Sequence, residues 1–84
     1  MTRLWIPGAA ISAVVNAADE PTAFHWRSRD HAVDTILTHW RVDLRWWARR
    51  IWRDYFELTT MTGLLVVIYH DRVENAWYLQ RLYD

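Results

Sequence analysis

Between Trp40 and Phe56 the chain concentrates four of its seven tryptophans and five of its ten arginines in seventeen residues. Guanidinium planes pair bidentately with phosphates and carboxylates, and both guanidinium and indole faces stack on flat partners. Residues of these types can therefore grip a nucleic-acid strand, anchor a protein interface, or stack on one another to close a small core. The candidate binding residues are Arg45, Trp46, Arg49, Arg50 and Arg53, with Tyr55 beside them. The sequence leaves three readings open. In the first, Trp40, Trp47 and Trp52 are core and the arginines are solvated, salt-bridged or stacked over the rings. In the second, the arginines meet phosphates while Trp46 or Tyr55 stacks on bases of a single strand or primer-template. In the third, the segment is a protein interface, where Trp, Tyr and Arg are the commonest anchors.

Other chemistries find little support. His25, His31, His39 and His70 lack the helical or i, i+2 strand spacing that brings two metal ligands onto one face. Ser12 and Ser28 lie in no nucleophile elbow, and two glycines with no lysine make no phosphate-cradling loop. The carboxylates are scattered at turns and strand ends. The expectation is a non-enzymatic binding module with no cofactor and no metal. An enzyme or a small-ligand barrel would need a site that leaves no motif.

Eighty-four residues make one domain, residues 1–84, which buries about 60–65% of its unfolded surface. The absence of cysteine removes disulfides and thiol chemistry and suits a reducing, cytoplasmic setting. Net charge is zero, so no long-range field steers the chain to DNA or an anionic membrane. Locally, residues 41–53 sum to +4 and residues 54–84 to −3. The longest apolar run, Leu64 to Tyr69, is far short of a membrane helix of about 20 residues. Arg3 and the apolar stretch after it faintly suggest a secretory signal, but Pro7-Gly8 interrupts it; residues 1–8 read as a loose lead.

Turn residues recur at short intervals, at Pro7-Gly8, Ala18 to Pro21, Arg29-Asp30, Met61 to Gly63 and Asp71 to Asn75. They separate six runs rich in β-branched and aromatic residues: Ala10 to Ala17, Thr22 to Ser28, His31 to Val42, Ile51 to Thr60, Leu64 to Tyr69 and Ala76 to Tyr83. Alternation sets Trp52, Phe56 and Leu58 on one face of the fourth, and Trp77, Leu79 and Tyr83 on one face of the sixth. In the third, Ile36, Trp40 and Val42 alternate with Leu37, His39 and Arg41, as in a long, bent strand. The fifth is apolar on both faces and reads as central. The fold expected is all-β, a six-stranded antiparallel meander curled into a small barrel of SH3 or OB size. Leu44, Trp47, Ala48 and Ile51 also fit a helical stripe with Asp43 as cap, so a short helical turn over 43–50 is the one departure allowed. Self-association through an edge strand or the Trp-rich segment stays open.

Several boxes carry a family likeness: Phe24-His25-Trp26, Val33-x-x-Ile36-Leu37-x-His39-Trp40-Arg41, Trp46-Trp47, Arg53-Asp54-Tyr55-Phe56, Tyr69-x-Asp71 and Trp77-Tyr78-Leu79-x-Arg81-x-Tyr83-Asp84. From about Ile11 to Asp84 the chain resembles a family of short, functionally uncharacterised bacterial domains found alone or attached to Y-family translesion DNA polymerases. The resemblance implies a role near DNA-damage tolerance, as an accessory protein-interaction domain of a translesion-synthesis assembly with the polymerase as partner. It assigns no catalytic or binding residue.

Overall fold

The computed structural model describes residues 2–83, with Trp46 described by its backbone alone. Six strands follow one another: β1 (Arg3–Val15), β2 (Pro21–Trp26), β3 (Arg29–Trp46), β4 (Arg49–Thr60), β5 (Leu65–Asp71) and β6 (Ala76–Tyr83). Each pairs antiparallel with the next, and β1 pairs with β6 to close a barrel. The all-β barrel expected from the turn spacing is the fold observed. Two expectations are corrected. Residues 3 and 4 are no loose lead, because Arg3 and Leu4 lie opposite Leu82 and Arg81 in the closing ladder. Nor is there a helical turn over 43–50: β3 runs to Trp46, two residues reverse the chain, and β4 returns. Leu44 and Ile51 face each other across that hairpin. Two strands joined by a two-residue turn thus place apolar residues seven apart, the spacing that also suggests a helix.

The barrel is filled by Phe24, Phe56, Leu58, Val66, Ile68 and Leu79, none more than 2% exposed. Burying each such side chain stabilises the fold by roughly 1.5–3 kcal/mol. Bulges decide which residues point inward. One at Gln80 lets both Leu79 and Leu82 reach the core and turns Tyr83 outward, against the simple alternation of the sequence. In β3, extra residues at Asp34 and Leu37 put Ile36 inside but Trp40 outside, where alternation alone would have grouped them. The β2–β3 turn falls at Arg27-Ser28, both at positive φ, rather than at Arg29-Asp30.

The sheet also buries part of its outer face. Trp40, Tyr55, Tyr69 and Tyr78, one from each of β3 to β6 and directly opposite one another in register, form an aromatic ladder. Successive ring centroids are 5.2, 5.0 and 5.2 Å apart. Tyr55 and Tyr69 are buried within it, so β5 packs on both faces, as its composition implies. The ladder is capped by β1, which carries three extra residues between Leu4 and Ala9. They bring the backbone at Gly8 onto the Tyr69 and Tyr78 rings. A β-carbon at Gly8 would lie 2.8 Å from the Tyr69 hydroxyl and 2.8 Å from Tyr78 Cβ. Gly8→Ala is therefore expected to cost about 1–3 kcal/mol in urea unfolding. Gly63→Ala, where there is open space but φ is +89°, should cost less, about 1 kcal/mol.

Candidate functional site

Barrel pairing ends before the longest strands do. The β2–β3 ladder stops at Ala32, and β4 pairs with β5 only from Arg53 to Thr59. Beyond these rows, residues 43–52 of β3 and β4 are laddered only with each other and form a two-stranded arm. The molecule is accordingly elongated, 41 Å in its longest extent. Trp47 and Ala48 make the turn at its tip. Trp47 has φ +57° and is 93% exposed. A two-residue turn with positive φ at its first central position favours glycine there, so the indole occupies a position that the backbone disfavours.

Cross-strand neighbours share a face, which gives the arm two unlike sides. One carries Arg41, Asp43 and Arg45 from β3 against Arg50, Trp52 and Asp54 from β4, and it continues into the barrel interior at Phe56. Here two arginines are paired with aspartates, Arg41 with Asp54 and Arg50 with Asp43. Arg50 pairs bidentately with Asp43, at 3.1 and 3.0 Å, which holds the Asp43 carboxyl below its ordinary range. Two guanidiniums stack on the Trp52 ring, Arg50 at 4.3 Å and Arg72 at 5.1 Å from its centroid. The other side carries Trp40, Val42 and Leu44 opposite Tyr55, Arg53 and Ile51, and continues into the aromatic ladder. It is apolar and open, with Leu44 56% and Trp40 39% exposed.

Asp54 joins arm to barrel. Its carboxylate is buried, and its Oδ1 accepts a hydrogen bond from Arg41 Nε at 2.7 Å while Oδ2 accepts one from Arg72 Nη1 at 3.0 Å. His39, stacked on Phe56, stands 3.9 Å away. Burial pushes this carboxyl up, but the hydrogen bonds and charges of Arg41 and Arg72 outweigh it and hold it below the ordinary carboxylate range.

The residues singled out from sequence are thus divided. Arg45 and Arg49 are exposed near the tip and, among the described residues, have no ion-pair partner. Arg50 is exposed but engaged by Asp43 and Trp52. Arg53 is half-buried over the Tyr69 ring at 4.7 Å and donates to the Tyr55 hydroxyl at 3.2 Å. Tyr55 itself is 8% exposed, packed between Trp40 and Tyr69, and offers no open face for stacking. Trp46 belongs to β3; its side chain lies outside the described residues. The picture of Trp40 and Trp47 as core is corrected: the bulges in β3 turn Trp40 to the outer face of the barrel, and the hairpin carries Trp47 past the barrel to its tip. Leu44 was missed. Its signal was its place opposite Ile51, legible only with the turn assigned to Trp47-Ala48.

Elsewhere, an open depression along β1 and β2 is lined by Ser12, Val14, Ala23, His25 and Asp30, among others. Its polar groups are turned on each other, His25 Nδ1 and Asp30 Oδ1 being 2.7 Å apart. No helix among the described residues is long and apolar enough to cross a membrane.

A family model described as a domain of unknown function (DUF6504) matches residues 9–84. No curated protein and no solved structure matches the chain.

The Asp54 junction gives a pH-dependent signature. Asp54→Asn should cost about 2–3 kcal/mol at neutral pH by urea unfolding, since it leaves charged donors without their carboxylate. A carboxylate held low in the fold adds stability that is fully present above its unfolded value, near 4, and is lost as pH falls through its folded value. The difference between native protein and variant should therefore be constant near neutrality and shrink below about pH 4.

Proposed function

The chain belongs to this family of domains of unknown function, and from the geometry of its barrel we propose that it is a non-enzymatic binding module that presents the hairpin arm to a protein partner. The observation that carries this reading is the arm itself: an apolar side with Trp40 and Leu44 exposed, ending in an exposed tryptophan at a backbone position that favours glycine. A large aromatic side chain held where folding disfavours it suits an anchor for a partner's pocket. Arg45 and Arg49 flank it, so the matching surface is an apolar groove rimmed by carboxylates.

Direct nucleic-acid binding is the second reading, and the pairing of charges weighs against it. Of the five arginines between 41 and 53, Arg41, Arg50 and Arg53 are held by Asp54, by Asp43, and by Tyr55 with Asp71 nearby. The two others could neutralise about two phosphates, worth a salt slope of only about −2. As to the partner, the likeness of the Trp-Trp, Arg-Asp-Tyr-Phe and C-terminal boxes to domains attached to Y-family polymerases makes a translesion polymerase the first candidate. The module would then act as an accessory piece of a DNA-damage-tolerance assembly in the cytoplasm.

Titration calorimetry against a Y-family polymerase from the same cell tests the reading. Trp47→Gly, which a positive φ accommodates, should weaken binding at least tenfold while circular dichroism shows the protein still folded. Unchanged affinity in this variant would overturn the arm as binding site. In parallel, fluorescence anisotropy with single-stranded and primer-template DNA should show weak binding at low salt. A salt slope of −4 or steeper, abolished by the Arg49→Ala/Arg50→Ala double substitution, would instead establish the nucleic-acid reading.

A further inference from the structure

Pairing with β2 covers β3 only through Ala32, yet β3 continues to Trp46. On that side, among the described residues, the strand has no backbone partner and presents an edge of donors and acceptors. The bulges at Asp34 and Leu37 interrupt its first part. From Thr38 to Trp46 it is regular, with nine consecutive residues opposite Arg49 to Glu57. Edges are usually blunted by lysine, proline, bulges or a covering segment. This stretch has no proline and no bulge, and its charged residues, Arg41, Asp43 and Arg45, alternate in sign so that they can be matched across an antiparallel seam.

We propose that this edge pairs antiparallel with the same edge of a second copy of the chain, across a twofold axis through Val42. The proposal concerns the protein alone; its pairing uses Trp40 and Leu44 from the same apolar side that would meet another partner and leaves the hairpin tips outside the seam, so the two modes of binding compete for that side. Val42 is the midpoint of the regular stretch, so the axis uses all nine residues. A twofold pairing must set residues of the same face opposite one another, which fixes the matches. Val42 meets Val42, Trp40 meets the partner's Leu44, Arg41 meets the partner's Asp43, and His39 meets the partner's Arg45. Each of the two large apolar side chains left exposed on the arm's open side is thereby covered by the other kind. On the opposite side, the Arg41–Asp54 pair of one protomer meets the Asp43–Arg50 pair of the other with Arg41 beside the partner's Asp43, so the contact adds an opposite-charge match to pairs already present in each monomer. Neighbouring registers lose this match: an axis through Arg41 sets Arg41 against itself, and one through Asp43 sets Arg41 against Arg45. The result is a four-stranded sheet, β4 and β3 of one protomer beside β3 and β4 of its partner, with both exposed tips at its ends.

The absence of cysteine makes a clean test. Sedimentation equilibrium of the unaltered protein over a micromolar concentration series should show a monomer–dimer equilibrium. Val42→Cys should oxidise to a disulfide-linked dimer, because facing residues of an antiparallel pair lie about 4.5–5.5 Å apart at Cα, within disulfide reach. Leu44→Cys alone should not, since its two copies would lie four residues apart in register, about 13 Å. Mixing Trp40→Cys with Leu44→Cys should give the crosslinked heterodimer. A protein monomeric throughout the series overturns the proposal. So does equal crosslinking of Val42→Cys and Leu44→Cys, or failure of both Val42→Cys and the mixture to crosslink when circular dichroism shows them folded.

Discussion

A carboxylate buried at the rim of a barrel has to be matched by positive charge, and in this protein that requirement organises the junction between core and arm. Along the inward face of β4 the residues run Leu58, Phe56, Asp54, Trp52, from sealed apolar interior to buried charge to an indole on which two guanidiniums stack. Asp54 sits where the core ends. Arg41 reaches it from β3 and Arg72 from the turn after β5, so one carboxylate ties together the hairpin that projects and the β5–β6 hairpin. The same Arg72 lies over Trp52 and its backbone N–H donates to the Trp52 carbonyl. The base of the arm is thereby fixed by side chain and main chain together. An isolated two-stranded hairpin is marginal in water, and this anchorage is what lets the pairing of β3 with β4 continue beyond the last barrel row.

With the base fixed, the two faces of the arm inherit the two faces of the barrel. The interior face becomes a charged row in which Asp43 and Arg50 offset one another. The outer face prolongs the aromatic ladder, from Tyr78 and Tyr69 through Tyr55 and Trp40 to Val42 and Leu44. The outer cluster has a structural role of its own: in a barrel this small the interior alone holds few large side chains, and burying Tyr55, Val67 and Tyr69 outside it gives β4 and β5 a second packed layer. The chain therefore spends most of its tyrosines on folding, and its exposed tryptophans lie where that layer has run out.

The sequence carried the architecture well and the site only partly. Six strands, their order and the central, doubly buried β5 follow from turn spacing and from the unbroken run Leu64 to Tyr69, because period-two burial is a local property. What the sequence hid were phase changes. The bulges at Leu37 and Gln80 each shift one residue and so swap every later side chain between inside and outside; Ile36 and Trp40, or Leu79 and Tyr83, cannot be told apart by alternation alone. The arm was hidden for a related reason. Trp47-Ala48 contains none of the glycine, asparagine or aspartate that mark a hairpin turn, so the segment looked as much like a helix as like two strands. Which arginines are already spent is likewise tertiary information: Arg53 and Arg49 look alike in sequence, and only the fold sets one over a tyrosine ring and the other in solvent.

That the hairpin extends past the barrel at all is not explained by the stability of the monomer. Rows beyond Arg53 cover little of the core, leave Leu44 in water, and end in a tryptophan held in a left-handed conformation. Each of these is mildly unfavourable for an isolated chain, and a shorter hairpin with glycine at its turn would remove them all. The charges on the arm point the same way. Were the arm shaped for phosphate, its arginines would be left unpaired; instead Asp54 and Asp43 pair with Arg41 and Arg50, and Arg53 is held over the Tyr69 ring beside Asp71. An extension that is apolar on one side, charge-paired on the other and edged by regular, uncovered backbone has the attributes of a surface completed by another polypeptide, whether a second copy along its edge or a different protein against its face.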